Sequence, residues 1–315
     1  MTSKQVVKGL PLTHSTSDTV IACSLPLPEN YRTAELLAFH ARDETGTDAR
    51  VVDHTIFKGI CWDGTPALIS IKCAGGFASA QLAIDGRPSA TDRERLVDVV
   101  TRMMGLNQPV EEFERTYQDH PVLGKMIAMH PGLRIPAASS PFEAVTWAVV
   151  GQQISLAAAI SIRRRLVSSL GQRHSCGLIC HPSPNQIAIS LADKLTAAGL
   201  SHAKAATLLN LANQIETRTL ALETEQSFKA PEAVGEALLR LNGIGQWTVS
   251  YTLLRGYGYL DGSLHGDAAL RRSMQMQPGL PATVSEDSAK EWLAQFSPWR
   301  ALVAAHLWAM LGVQA

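Results

Sequence analysis

Over roughly the first hundred residues, apolar positions fall in short alternating runs broken by turn residues. Val20–Leu25, Val51–Cys61, Ala67–Cys73 and Ala78–Ile84 read as strands, punctuated by Pro26 and Pro28, Asp63-Gly64 and Gly75-Gly76. Tyr31–Ala41 has helical spacing between the first two. Thr91-Asp-Arg-Glu94 sets a cap residue and an N3 glutamate ahead of Leu96, Val97, Val100 and Met103, which predicts a closing helix. A helix laid on a small antiparallel sheet lets each cover the apolar face of the other.

Beyond Gly105 the apolar period lengthens to that of helices. These are expected over Val110–Gln118, Pro121–Met129, Pro141–Leu170, Ser190–Ala198, His202–Ile215, Pro231–Leu241, Gln246–Arg255, Ala268–Met274, Glu286–Phe296 and Arg300–Leu311. Pro, Gly, Ser and Asn join them, with no solenoid repeat and no low-complexity tract. The expected organisation is a small α+β domain over 1–107, a helical lobe over 108–230 and a second helical region over 231–315, the lobes sharing elements.

Composition sharpens this only in places. With 46% hydrophobic and 18% charged residues among 315, the chain reads as an ordinary globular protein with a substantial core. No run approaches the roughly 20 apolar residues that cross a bilayer, so no membrane partner is expected. The opening 1–18 lacks an apolar leader core, and the expected location is the cytoplasm. Lys and Arg total 28 and Asp and Glu total 28, which excludes a wholesale basic coat. Up to Val150 there are 14 basic and 17 acidic residues, and after it 14 and 11, a shift whose sign suits an anionic ligand in the second part. Five cysteines form no disulfide ladder. His174, Cys176, Cys180 and His181 resemble a metal ligand set by composition, but no second CxxC pair accompanies them, and packed or solvent-facing thiols are the simpler reading.

The segment Arg240-Leu-Asn-Gly-Ile-Gly-Gln-Trp247 carries the sharpest physical signal. Pro231 suits the first turn of one helix, Asn242 and Gly243 break it, Ile244 plugs the corner, and Gly245 permits close approach before the next helix. The turn exposes backbone N–H groups at a helix N-terminus, which can hold a phosphate without a basic side chain. A glycine corner that merely packs two helices uses the same residues. There is no GxxxxGK[ST] run, which disfavours a mononucleotide loop.

LNGIGQWTVSYTLLRGYG, then GSLHGDAALRRSM, then FSPWRALVAAHLWAMLG resembles the helix-hairpin-helix DNA glycosylases, and within them the bacterial 3-methyladenine DNA glycosylase II group. FEAVTWAVVGQQIS and GLSHAKAATLLNLANQI resemble the earlier helical motifs, so the likeness covers nearly the whole chain. It implies an α+β N-terminal module followed by a mostly α-helical, two-lobed helix-hairpin-helix body. It further implies a monofunctional glycosylase acting on 3-methyladenine and related alkylated purines in damaged double-stranded DNA, as a monomer, with no redox cofactor. Other damaged-base specificities, deaminated adenine included, and a noncatalytic damage-binding protein are the competing readings.

Asp267, 20 residues beyond Trp247, opens the AALRRSM helix and on spacing alone is an N-cap. By resemblance it matches the family's catalytic aspartate, whose anion stabilises the oxocarbenium-like sugar as the N-glycosidic bond breaks. Relatives that also cut the strand carry a lysine where Trp247 stands, and an indole cannot form a Schiff base. Lys204 and Lys229 are the remaining amines that could do so if folding delivered them. Trp247, Tyr251 and Trp308 match aromatic residues lining the family's base pocket, although buried aromatics serve any core. Gly243, Gly245, Gln246 and Thr248 are the expected backbone-binding positions. The resemblance also makes a Na⁺ or K⁺ ion plausible at the carbonyls of Leu241 and Gly243.

Gln152 and Gln153 belong to the GQQIS segment, where Gln153 occupies the position that fills the stack when a base leaves it; surface solvation or helix capping is the plainer role. Glutamine there, where the best-known member has leucine, enters an apolar stack less readily and can instead bond the orphaned base. His265-Gly266 before Asp267 replaces the usual proline and frees the loop. Arg163-Arg164-Arg165 and Arg271-Arg272 either meet phosphates or form solvated helix faces, since consecutive residues point around a helix. His306 reads as a packing histidine, and Ser155 has no adjacent motif for acyl transfer.

Overall fold

The computed structural model describes residues 20–312; the opening segment 1–18 lies outside them. Five strands, β1 (Ile21–Pro26), β2 (Ala49–Val52), β3 (Thr55–Trp62), β4 (Thr65–Ala74) and β5 (Phe77–Ile84), form one antiparallel sheet in the order β1-β5-β4-β3-β2. The run read as one strand over Val51–Cys61 is instead a hairpin. Asp53 and His54 take φ of 47° and 59°, the left-handed pair that a two-residue turn requires. Two helices cover this sheet, α1 (Thr33–His40) and α2 (Asp92–Met103), with Leu36, Leu96, Val100 and Met103 in the shared core. Thr91 does not cap α2 through its side chain. Asp92, the first residue of α2, instead ties the helix to its surroundings, its carboxylate accepting Ser89 N–H at 2.7 Å and Trp62 Nε1–H at 2.9 Å.

The rest is helical: α3 (Val110–Tyr117), α4 (Leu123–Met129), α5 (Pro141–Gly151), α6 (Leu156–Leu170), α7 (Pro184–Ala188), α8 (Ala192–Ala197) and α9 (His202–Glu216). Then come α10 (Glu225–Lys229), α11 (Pro231–Leu239), α12 (Gln246–Thr252), which widens into a π turn over Leu253–Tyr257, α13 (Ala268–Gln275), α14 (Glu286–Ala294) and α15 (Arg300–Met310). The sequence pattern does not reveal α7 and α10, each 5 residues long. The predicted helix over Pro141–Leu170 is broken. Gln153 has a φ of 55°, outside helical space, and Ser155 starts α6 afresh by accepting Ala158 N–H.

Two apolar cores meet along α12. Phe113, Met126, Leu270, Leu293 and Leu302 lie in one, which takes in Tyr251; Phe142, Val149, Leu208 and Leu238 lie in the other, which takes in Val249. Trp147 of α5 packs against both. The hairpin helix therefore stands at the seam, one face toward each lobe.

A buried ionic cluster ties the sheet module to the helical body. Lys58 Nζ reaches Glu143 Oε1 at 2.7 Å and Asp48 Oδ2 at 3.2 Å; Arg163 reaches the same two carboxylates at 2.5–2.8 Å. Burial alone would raise both carboxyls. Arg163 and Lys58 outweigh it at Asp48, as Lys58 and Arg163 do at Glu143, and hold both well below the usual carboxylate range. Arg163 is thus neither solvated nor free for a phosphate. Its neighbours are occupied too: Arg165 donates to the Ala198 carbonyl at 2.7 Å, and Arg164 lies 3.9 Å from Asp43.

Candidate active site

Asp267 caps α13, and three N–H groups converge on its half-buried carboxylate. Oδ1 accepts Leu270 N–H at 2.8 Å and Trp308 Nε1–H at 3.1 Å; Oδ2 accepts Trp247 Nε1–H at 3.0 Å. The helix-cap bond thus falls on Oδ1 alone. Two indoles from different helices, α12 and α15, meet at this one anion. Trp247 also stacks on Tyr251, ring centroids 5.3 Å apart and planes at 30°. The structure thus brings Asp267, Trp247, Tyr251 and Trp308 together.

The hairpin leads straight into this group. Gly243 has a φ of 87°, and a Cβ there would lie 2.1 Å from Thr207 Oγ1, so both the turn and α9 demand glycine. Gly245 is different: it is exposed, its φ is −101°, and an added Cβ would meet nothing within 4 Å. It precedes α12 without a side-chain cap, leaving that helix start open.

Residues 146–299 match the HhH-GPD superfamily of base excision DNA repair proteins. That match spans 154 of the chain's 315 residues, just under half. It is 32% identical over 197 residues to DNA-3-methyladenine glycosylase 2 of Escherichia coli (strain K12), a match covering 61% of this chain and 65%, just under two thirds, of that protein. It is 23% identical over 305 residues to DNA-3-methyladenine glycosylase of Bacillus subtilis (strain 168), covering 95% of this chain and 99% of the relative. The structure of 3-methyladenine DNA-glycosylase from Archaeoglobus fulgidus aligns with a TM-score of 0.75 at 19% identity, over 92% of this chain and 98% of that one. At that identity the likeness is one of fold.

The other sequence-derived positions have distinct places. Gln152 is half-buried, and its Nε2 donates to the Gly243 carbonyl and to Thr248 Oγ1, both at 2.9 Å. Its side chain thereby ties the end of α5 to the hairpin, and the Thr248 side chain is buried in that tie. Gln153 and Gln246 are exposed. The Gly243 carbonyl accepts Gln152 and the Leu241 carbonyl accepts Ile244 N–H, so an ion there would use the second lone pair of each. Lys204 Nζ donates to the carbonyls of Val150 and Gln152 at 2.9 and 2.7 Å, and Lys229 pairs with Glu225 on the surface. His265 shares a hydrogen bond with Ser263 at 2.9 Å, and Arg271 meets the His265 carbonyl and Glu286. Cys180 is buried against the Ala67 carbonyl, and no group of three or more metal-ligating side chains occurs among the described residues. His306 is fully buried and stacks on Phe113 at 5.4 Å.

Sequence reasoning missed the far end of the site. Trp247, Tyr251 and Arg255 fall at successive i, i+4 positions, so one helix face runs from Asp267 inward. There it meets the sheet module: the Arg255 guanidinium lies 4.8 Å from the Phe39 ring, and Arg42 lies 3.9 Å from that ring and 5.1 Å from Trp147. Burial pushes the Arg255 guanidinium down to about 10 and lowers Arg42 as well. Phe39 lies within a segment recognisable as a helix, but nothing local in the sequence marks it or Arg42 as facing a seam formed by Trp147 and Arg255, more than 100 positions away.

Proposed function

We propose that this chain is a monofunctional DNA glycosylase that hydrolyses the N-glycosidic bond of alkylated purines, 3-methyladenine and 7-methylguanine among them, in duplex DNA. The observation that carries the reading is the Asp267 carboxylate held by the Trp247 and Trp308 indole N–H groups at the lobe seam. The names of the relatives support the substrate class.

In this reading the open start of α12 beside Gly245 takes a phosphate of the strand through its backbone N–H groups. The everted base lies against the indoles, whose faces attract a ring made electron-poor by alkylation. A purine already carrying positive charge leaves without a dedicated acid. The work left for Asp267 is to face the sugar and stabilise the positive charge that develops as the C1′–N bond lengthens. Water then closes on the sugar carbon and leaves an abasic site. Trp247 has no amine to offer, and Lys204 and Lys229 are engaged elsewhere, so strand cleavage does not accompany base release.

The test is a duplex carrying one 7-methylguanine, with base release and strand scission followed separately. The wild type should release the base and leave the strand intact before alkali. D267N, which can still cap α13, should bind the duplex but lose release. Equal release by D267N would sink the role of Asp267, and scission without alkali would sink the monofunctional reading.

A further inference from the structure

The loop that joins α5 to α6 stands beside the hairpin, exposed yet fixed. Gln153, Ile154, Ser155 and Leu156 all face solvent, two of them large and apolar, and none belongs to an apolar core. Gln153 nevertheless holds left-handed backbone, φ 55°, which a residue with a side chain keeps only when its neighbours enforce it. The enforcement comes from α9. Lys204 is half-buried, and its Nζ donates to the Val150 carbonyl at 2.9 Å and to the Gln152 carbonyl at 2.7 Å. It thus closes the last turn of α5 and grips the residue before Gln153. The Gln152 side chain reaches the other way, to the Gly243 carbonyl and Thr248 Oγ1. One turn further along α9, Thr207 Oγ1 meets the Asn242 carbonyl at 3.1 Å. Beyond Gln153, Ser155 Oγ accepts Ala158 N–H at 3.3 Å. The end of α5, the start of α9 and the hairpin turn are bonded into a closed triangle, with the exposed loop at its rim.

A helix C-terminus leaves carbonyls to be satisfied, and a lysine there is ordinary. Two features ask more of Lys204. The shorter of its two bonds goes to Gln152, past the end of α5, so the lysine sets the direction in which the chain leaves the helix. The loop fixed in this way lies one side chain's length from the turn proposed to take a phosphate of the strand. Everting a base opens a gap in the duplex, and large side chains presented rigidly beside the backbone can fill it. We propose that Lys204 is a positioning residue for base eversion: by holding the Val150 and Gln152 carbonyls it fixes Gln153 and Ile154 where they enter the stack as the base leaves. This inference rests on the glycosylase reading and extends it from the bond broken to the step that exposes it. The ammonium acts through the loop and meets neither sugar nor base, which gives this amine a task other than a Schiff base.

The deciding comparison follows single-turnover release of 7-methylguanine from two duplexes. One carries the lesion opposite cytosine, the other in a one-nucleotide bulge, where the base has no partner and less stacking to lose. K204M should slow release from the paired site by about tenfold or more and from the bulge by less than about threefold. K204R keeps the charge and the donors and should recover most of the loss. Q152A, which frees the same loop from the hairpin side, should reproduce the paired-to-bulged difference. In a Q153A/I154A background K204M should add little at the paired site, because the side chains it positions are gone. Equal slowing of both substrates by K204M would leave Lys204 a plain cap of α5 and overturn the proposal. So would full additivity with Q153A/I154A, or a paired site released by K204M as fast as by the wild type. Should K204M fail to fold, K204Q, too short to span both carbonyls, decides by the same ratio. Failure of the wild type to release 7-methylguanine from either duplex would instead sink the glycosylase reading on which this one stands.

Discussion

Trp247 donates its indole N–H to Oδ2 of Asp267 at 3.0 Å, whereas Oδ1 already serves both Leu270 and Trp308. The two oxygens are loaded unequally, and Trp247 controls the one not used by the helix cap. W247F keeps most of the aromatic surface that stacks on Tyr251 and removes only that donor. A hydrogen bond to a charged group contributes about 1.5–3 kcal/mol, so single-turnover base release should fall by roughly 10- to 150-fold. W308F removes one of two donors on Oδ1 and should cost less. Release by W247F within twofold of the wild type would show that the carboxylate needs no such alignment.

The hairpin glycines should separate under substitution. G243A forces a side chain into left-handed backbone and onto Thr207 Oγ1, and should cost about 2 kcal/mol or more in urea denaturation. G245A meets open space at an ordinary φ, so its stability should change by less than about 1 kcal/mol. Its affinity for duplex DNA should nevertheless drop, because the new methyl group stands where a phosphate is proposed to approach. Unchanged affinity in G245A would move the backbone contact away from this turn.

What the sequence shows of this architecture follows the range of the forces involved. Strands β4 and β5, the glycine hairpin and the helix that Asp267 opens are set by neighbours a few residues apart, through alternation, glycine turns and caps, and their pattern is plain in the chain. The break after α5 is not, because Gln153 is no glycine and its left-handed backbone is imposed by what surrounds it, Gln152 reaching across to Gly243 and Thr248. Arg163 misleads for the same reason. A helical arginine reads as solvated until Asp48, 115 positions earlier, is brought beside it. Arg42, Asp43 and Arg255 share a cavity only once the sheet module is docked on the body.

That docking makes the buried cluster a stability determinant. Removing one charge leaves its partners buried and unbalanced, which typically costs about 3–5 kcal/mol. K58M should therefore destabilise the protein by that order in urea denaturation at pH 7. K58M combined with E143Q should cost clearly less than the two single changes together, because the second removes a charge that the first stranded. Simple additivity would mean that the pair is not coupled.

Acid should act on this protein earlier than its carboxylates alone would allow. Burial pushes His40 from its usual 6.5 to about 3, His181 to about 4 and His306 to about 3. A folded-state pKa below the unfolded one means that the unfolded chain binds protons first as pH falls, so the stability is complete above 6.5 and erodes beneath it. Each such histidine removes about 1.4 kcal/mol per pH unit, or about 4 kcal/mol per unit for the three together between roughly pH 6 and 4.5. Asp48 and Glu143, held low by Arg163 and Lys58, add their own loss only as pH drops through the usual carboxylate values of 3.8 and 4.5. The melting temperature should therefore begin to fall near pH 6.5, and H306F, which keeps a ring against Phe113 but cannot titrate, should flatten that upper limb by about a third. A melting temperature constant from pH 7.5 down to 5 would mean that these imidazoles are not held neutral in the core.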